Sequence, residues 1–369
     1  MSTTDRPRAG QASPTGPASR TEQVSRTGKV SRTGKVSRSG QVSRARQALR
    51  VLRRPGVWAA TAALLLGGFA FAGSSAADTG GLVTDAPVLV AHAPAHAPAD
   101  ASGGCDQQAS QTPSTSDSGP DVQKILQRGK LVVGIDTNSY LWGFRDPKSG
   151  QLEGFDIDLV HAIAQSLFGD PNAVDFLAVP TDQRINALET GEVDMVVRAM
   201  TITCAREQQV SFSAPYFTTG QQLIVPGTSQ VTGFDSSLKG QRVCTASGSI
   251  AESKLQASPY KSQEVHVANQ LDCLVLMQLG QVDATITDGA LAAGQAAQDP
   301  TLKLPGALLD TEFYGVAVKH DAWDLVARVN AVIQSYEANG GWQASYQHWL
   351  KQGTSKDGTP PVAHWVNEQ

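Results

Sequence analysis

The chain has 369 residues, of which 40% are hydrophobic and 17% charged, and its formal net charge is −4 at pH 7. That near-neutral total hides a split: residues 1–54 carry 13 Lys/Arg against only Asp5 and Glu22, net +11, and the remainder is net −15. A basic arm of that charge suits either nucleic acid or an anionic lipid surface, and the apolar segment that follows it decides for the lipid.

The arm contains a six-residue unit repeated four times over residues 24–47, "VSRTGK VSRTGK VSRSGQ VSRARQ". With one valine per unit it cannot bury enough apolar area to offset chain entropy, so residues 1–54 read as a disordered basic cytoplasmic tail. Between Arg54 and Asp78 lie 23 uncharged residues. At about 1.5 Å per residue, a helix of that length spans a bilayer core of about 30 Å. Residues 55–77 are therefore expected to be a transmembrane anchor or a signal segment. The flanking charges put everything after it outside the cell. The protein is then a single-pass membrane protein, or secreted if the segment is cleaved. Residues 78–120, rich in Ala, Pro, Ser and Thr, read as an extracellular linker. His92 and His96 are four apart there, but the intervening prolines forbid the helix that would let them share a metal. No metal site and no cofactor is expected.

From Asp121 the pattern is globular. "DVQKILQRG" reads as a short helix stopped by Gly129, and "KLVVGID" as a buried strand. "LEGFDIDLVHAIAQSLFG" reads as a turn into a helix, "VDFLAV" as a strand, "QRINALETG" as a helix and "EVDMVVR" as a strand. A second unit repeats this order through "QRVCTA", "SGSIAESKLQ", "EVHVA", "QLDCLVLMQLG" and "QVDATITD". The units end alike, in "ALETGEVDMVV" and "LMQLGQVDATI". The alternation predicts two similar α/β lobes with parallel sheets and helices on both faces. A long helix from about Asp321 to Asn339 and "GGWQASYQHWLKQG" close the domain.

Pockets in such sheets form at the strand ends. "GIDTNSYLWGF" offers Asp136, Tyr140 and Trp142, and "VRAMTITCAR" offers Arg198, the Ala199 backbone, Thr201 and Arg206. "TASGSIAE" offers Ser-Gly-Ser at a helix start, and "TITDGA" offers Asp288. Arginine forks for a carboxylate, one acid for an ammonium, hydroxyls and aromatic walls make a site for a zwitterion. No GxSxG, HExxH or Walker motif marks an enzyme.

In order along about 230 residues, "GKLVVGID", "GQLEGFDIDLVHAIA", "INALETGEVDMVVRAMTIT", "REQQVSFSAPYF", "LKGQRVCTASGS", "LGQVDATITD", "YGVAV" and "NGGWQASYQHWL" resemble the family 3 extracellular solute-binding proteins of polar amino-acid ABC importers. The likeness is greatest to the actinobacterial glutamate/glutamine binders. It implies a two-lobed periplasmic-binding-protein fold of type II, a clamshell. Lobe 1 would span 121–226, lobe 2 227–310 and the return to lobe 1 311–352, with a tail at 353–369. By motif, Arg206 resembles the arginine that grips the ligand's α-carboxylate, with Thr201 and Ala199 lining carboxylate and amine. Asp288 resembles the acid that holds the α-ammonium from the other lobe. Ser249 with Gly248 would cap the carboxylate from lobe 2, and Tyr140 and Thr181 stand at side-chain wall positions. Two departures matter: Arg198 replaces a small residue of glutamine binders, favouring an acidic ligand, and Ala246 replaces their lysine. Asp156 and Asp158 start a helix in this family, and Tyr314 is expected to pack near the hinge.

With the lobes assigned, the four cysteines, an even count suited to an exported location, are expected to pair as Cys105–Cys204 and Cys244–Cys273. The alternative Cys204–Cys244 would span the cleft. The resemblance implies a non-enzymatic, monomeric receptor that delivers an amino acid, glutamate first, to an ABC transporter permease. An amino-acid sensor signalling to a kinase, and a dehydratase-like enzyme on the same fold, are the rival readings.

Overall fold

Elements form where apolar positions recur with the right period and stop where glycine breaks it. The computed structural model describes residues 104–351 and 358–367. The basic repeats, residues 55–77, His92 and His96 lie outside the described residues. Among the described residues no helix is long and apolar enough to cross a membrane.

The helix α1 (Pro120–Arg128) begins with proline, which has no amide hydrogen to leave unbonded, and ends on Gly129 at φ 75°. It leads into β1 (Leu131–Ile135), which is almost wholly buried. A small three-stranded meander follows, and then α2 (Phe155–Phe168), β2 (Val174–Ala178), α3 (Arg184–Glu189) and β3 (Met195–Val196). Beyond these come β4 (Val210–Phe212), β5 (Phe217–Thr219) and β6 (Gln221–Pro226). The second unit is β7 (Arg242–Ala246), α4 (Ile250–Gln256), β8 (Gln263–Val267), α5 (Gln270–Gln278), β9 (Ala284–Asp288) and α6 (Gly289–Gln298). The chain returns through β10 (Glu312–Tyr314) and β11 (Ala317–Lys319) to α7 (Trp323–Ala338) and α8 (Gly341–Trp349).

Lobe 1 has the strand order β2-β1-β3-β11-β4, and lobe 2 the order β8-β7-β9-β6 with Leu302–Lys303 at its edge. The sheets are mixed, where the sequence pattern predicts parallel ones. Strands β1, β2 and β3 run parallel, as do β7, β8 and β9, but β11 and β6 run against their neighbours. The reason is connectivity. The parallel strands end at the cleft, whereas β6 and β11 each carry the chain away from it after a crossing between lobes. The crossings pair with one another as the two-stranded ribbon β5–β10. Because β6 already belongs to the lobe 2 sheet, the boundary falls near Gly220 and not at residue 226. α6 also escapes the sequence reading, since "GALAAGQAAQ" has no apolar period to recognise.

The linker boundary needs the same correction. Ala109–Gln111 pairs in parallel with His364–Val366, so chain read as linker and chain read as tail form one small sheet. Asn330 of α7 donates to Ser110 Oγ at 2.9 Å and to the Gln111 carbonyl at 2.7 Å, and Arg328 pairs with Asp117 at 2.8 Å. The segment looks like linker because it is polar. It is ordered because a helix far away in sequence satisfies its hydrogen-bonding groups.

Two apolar clusters fill lobe 1 and two fill lobe 2. The lobe 1 core reaches the hinge: the Trp142 ring meets Phe217 edge-on at 4.7 Å and Tyr314 at 5.5 Å. Both crossing strands are thereby rooted in lobe 1. At the far end of the lobe, Asp324 Oδ2 accepts from the backbone N–H groups of Asp121 and Val122, both at 3.1 Å, and so caps α1. Asp324→Ala is expected to cost about 1 kcal/mol, a fall of about 2–4 °C in Tm. A melting curve that coincides with the parent's would show that the cap carries no weight.

Candidate functional site: the cleft between the lobes

The loop after β3 does most to build the site. Ala199 takes φ 42°, a turn that a small side chain tolerates and a β-branched one would not. Its N–H donates to Asp156 Oδ2 at 2.9 Å, while Tyr216 donates to Asp156 Oδ1 at 2.8 Å. Asp156 thus shapes the loop after β3 as well as opening α2. Burial pushes its carboxyl up to about 7, against those two hydrogen bonds. Three residues on from Thr201, the one-turn helix Cys204–Glu207 begins, capped by Thr203, and presents Arg206.

Three guanidinium groups converge here, and all three are buried. Arg206 Nη1 donates to the Thr201 carbonyl at 2.7 Å. Arg184, at the start of α3, donates from Nε to the Thr181 carbonyl at 2.8 Å. One further nitrogen from each reaches across the cleft to the Gly248 carbonyl, at 3.1 Å from Arg206 and 3.3 Å from Arg184. Arg198 is bound differently: Nη2 lies 2.9 Å from Asp136 Oδ2 and 3.0 Å from Asn269 Oδ1, and Nη1 donates to Thr181 Oγ1 at 3.0 Å. Its Nε is buried without a partner. Desolvation lowers the pKa of Arg206, and lowers that of Arg184 further, with Arg206 and Arg198 adding repulsion.

From lobe 2, Asp288 stands at the N-cap position of α6, yet its carboxylate caps nothing. Instead Oδ2 accepts from the Tyr314 hydroxyl at 2.6 Å and Oδ1 from Gln221 Nε2. Its carboxylate is held by side chains of β6 and β10 and not by its own helix. Burial raises its pKa, opposed by Tyr314, Gln221, Arg184 and Arg206. Ser249 caps α4, accepting from Glu252 N at 3.1 Å. Gly248 has φ 74°, and a Cβ there would lie 2.8 Å from Asp182 Cα, so glycine allows the lobes to approach.

The cavity encloses about 460 Å³, its open mouth included. Of the residues singled out in the sequence, Asp136, Thr181, Arg198, Ala199, Thr201, Arg206, Ser249 and Asp288 line it, and Gly248 borders it through its carbonyl. Tyr140 is not brought there. It lines a smaller adjoining pocket with Gln295, and its ring packs edge-on against Phe144 at 5.0 Å. Trp142 is both core and wall: its Nε1 donates to the Ala290 carbonyl at 3.2 Å while its edge meets the cavity. Tyr314 does more than pack, since its hydroxyl holds Asp288. Sequence reasoning missed Arg184, although "PTDQR" places an arginine just past a strand end. Ser139, Gln270 and Thr287 also line the cavity and carry no distinctive signal.

Both expected disulfides are present: Cys105–Cys204 ties the incoming chain to the one-turn helix that carries Arg206, and Cys244–Cys273 joins β7 to α5.

The chain has counterparts among known proteins. The chain is 31% identical over 249 residues to the ABC transporter glutamine-binding protein GlnH of Bacillus subtilis, covering 67% of this chain and 91% of that one. It is 24% identical over 270 residues to the glutamate-binding protein GluB of Corynebacterium efficiens, covering 69% and 90% respectively. An ancestral arginine-binding protein bound to glutamine superposes with a TM-score of 0.57 at 33% identity, over 60% of this chain and 98% of that one. Residues 131–352 match the bacterial extracellular solute-binding proteins, family 3, and the chain belongs to that family.

Proposed function

We propose that the protein is an extracellular receptor for an acidic amino acid, glutamate first, that delivers it to an ABC importer. Its relatives are named as binding proteins and not as enzymes, glutamine and glutamate binders among them. The observation that carries the acidic ligand is the charge count at the cleft. Of three buried arginines, only Arg198 has a carboxylate in ion-pair contact among the described residues. Arg184 and Arg206 have backbone carbonyls as hydrogen-bond partners. Two guanidinium groups without a carboxylate in ion-pair contact suit two ligand carboxylates, and Asp288, whose charge attracts both at longer range, is left to meet the ammonium. A neutral side chain would leave one of those cations unpaired. In this reading Arg206 takes the α-carboxylate, and Arg184 with Arg198 faces the side-chain carboxylate.

Calorimetric titration with glutamate, aspartate, glutamine, asparagine, arginine and histidine tests it. Glutamate is expected to bind at least about tenfold tighter than glutamine; a preference for glutamine or arginine would refute the acidic reading. The cleaner substitution is Arg184→Gln, because Arg198→Ala would also strand the buried Asp136. Arg184→Gln is expected to cost about 1.5–3 kcal/mol for glutamate and under about 1 kcal/mol for glutamine. Equal losses would count against a side-chain role for Arg184.

A further inference from the structure

Behind the cleft, where both crossing strands meet, a second set of polar groups is buried. Glu312 starts β10 and Gln221 starts β6. Gln221 Nε2 donates to Glu312 Oε1 at 2.9 Å, lies 3.0 Å from Oε2, and also donates to Asp288 Oδ1. Glu312 Oε2 accepts from the Thr201 hydroxyl at 2.9 Å. One carboxyl group at the hinge is thus joined to a ligand-loop hydroxyl of lobe 1 and, through one amide, to the acid of lobe 2.

We propose that Glu312 and Gln221 are positioning residues that hold Thr201 and Asp288 in register, and that ligand binding takes up a proton on Glu312, whose Oε2 then donates to the Thr201 hydroxyl instead of accepting from it. The inference rests on the reading of the cleft as the ligand site.

The electrostatics follow from what faces Glu312. Asp288 at the end of β9 and Asp310 in the preceding loop both repel a negative charge there. Arg206 attracts one, but burial outweighs it, and the Glu312 pKa rises to about 8. Tyr314 on the same strand already donates to Asp288, and Lys254 pairs with Asp310. Asp310 itself accepts from Gln221 N–H at 2.7 Å. Two neighbouring carboxylates within one buried cluster cannot both ionise cheaply. A neutral Glu312 allows Asp288 to keep the charge that an ammonium needs. Because Thr201 and Asp288 come from different lobes, closing the cleft completes the cluster.

The sign is set by linkage. The raised pKa favours the protonated, closed state, so affinity is full at low pH. It falls as pH rises toward about 8 and levels off beyond it, where Glu312 is ionised in both states. The fall is at most tenfold per pH unit for one linked proton.

The test is calorimetry with glutamate on the wild-type chain, Glu312→Gln and Glu312→Ala, from about pH 6 to 9, in buffers of different ionisation enthalpy. Glu312→Gln keeps the shape and mimics the neutral acid. It should take up fewer protons on binding and show a flatter pH profile than the wild type up to about pH 8. Glu312→Ala should bind at least about tenfold more weakly throughout. Infrared spectra of the ligand-free and ligand-loaded protein add a direct readout: a protonated carboxyl band absent from Glu312→Gln and stronger with ligand. Parallel pH profiles for wild type and Glu312→Gln, with equal proton uptake and no such band, would overturn the inference while leaving the binding site standing. Absence of that band from the wild type would overturn it even if glutamate did not bind, whereas failure of the site reading alone would remove binding and spare the band.

Discussion

An Arg206→Ala variant is expected to lose about 2–5 kcal/mol of amino-acid affinity, roughly 30-fold to several thousandfold. The side chain is buried, and the Thr201 carbonyl at 2.7 Å fixes its direction. A ligand carboxylate entering the cleft gives up its water and needs that fork in return. Lysine offers a point charge without the paired donors, so Arg206→Lys should recover only part of the loss. Circular dichroism should be unchanged, because Cys204 still anchors the loop through its disulfide. Affinity within a factor of two of wild type in Arg206→Ala would refute the assignment of the carboxylate site.

The second large effect is on stability. Cys105 and Cys204 are 99 residues apart, and cross-linking a loop of that length removes about 4–5 kcal/mol of unfolded-state entropy. The Cys105→Ser/Cys204→Ser pair should therefore lower the denaturant midpoint sharply and steepen the slope, because the unfolded chain without the cross-link is less compact and exposes more surface. The corresponding pair at Cys244 and Cys273, 29 apart, should cost about 3–4 kcal/mol by loop length alone. Both of those sulfur-bearing residues are fully buried, so cavity and packing losses add to that figure. Losing the first bridge also frees residues 104–118 from the ligand loop, and affinity should fall less than in Arg206→Ala. An unchanged midpoint in the Cys105/Cys204 variant would mean that the hydrogen bonds of Asn330 and Arg328 suffice to hold that segment.

Much of the fold was legible because periodicity is local. The helices α1, α2, α5 and α7, the strands β1, β2 and β7–β9, and their glycine stops follow from spacing within a dozen residues. Arg206, Thr201 and Asp288 were legible for the same reason: each stands at a strand end or loop whose limits the pattern marks. Tertiary structure decided what depends on partners far away in sequence. The direction of β6 and β11 follows from the chain crossing twice between lobes. The order of residues 104–118 depends on α7 and on a strand more than 250 residues later. The salt bridge that turns Arg198 into a latch between Asp136 and Asn269 could not be read from "VVRAM", because its partners lie 62 and 71 positions away. Arg184, Gln221 and Glu312 look like ordinary surface residues in one dimension. Only closure of two lobes around a low-dielectric cleft makes their charge and hydrogen bonding matter, since burial is a property of the folded chain and is written in no single segment.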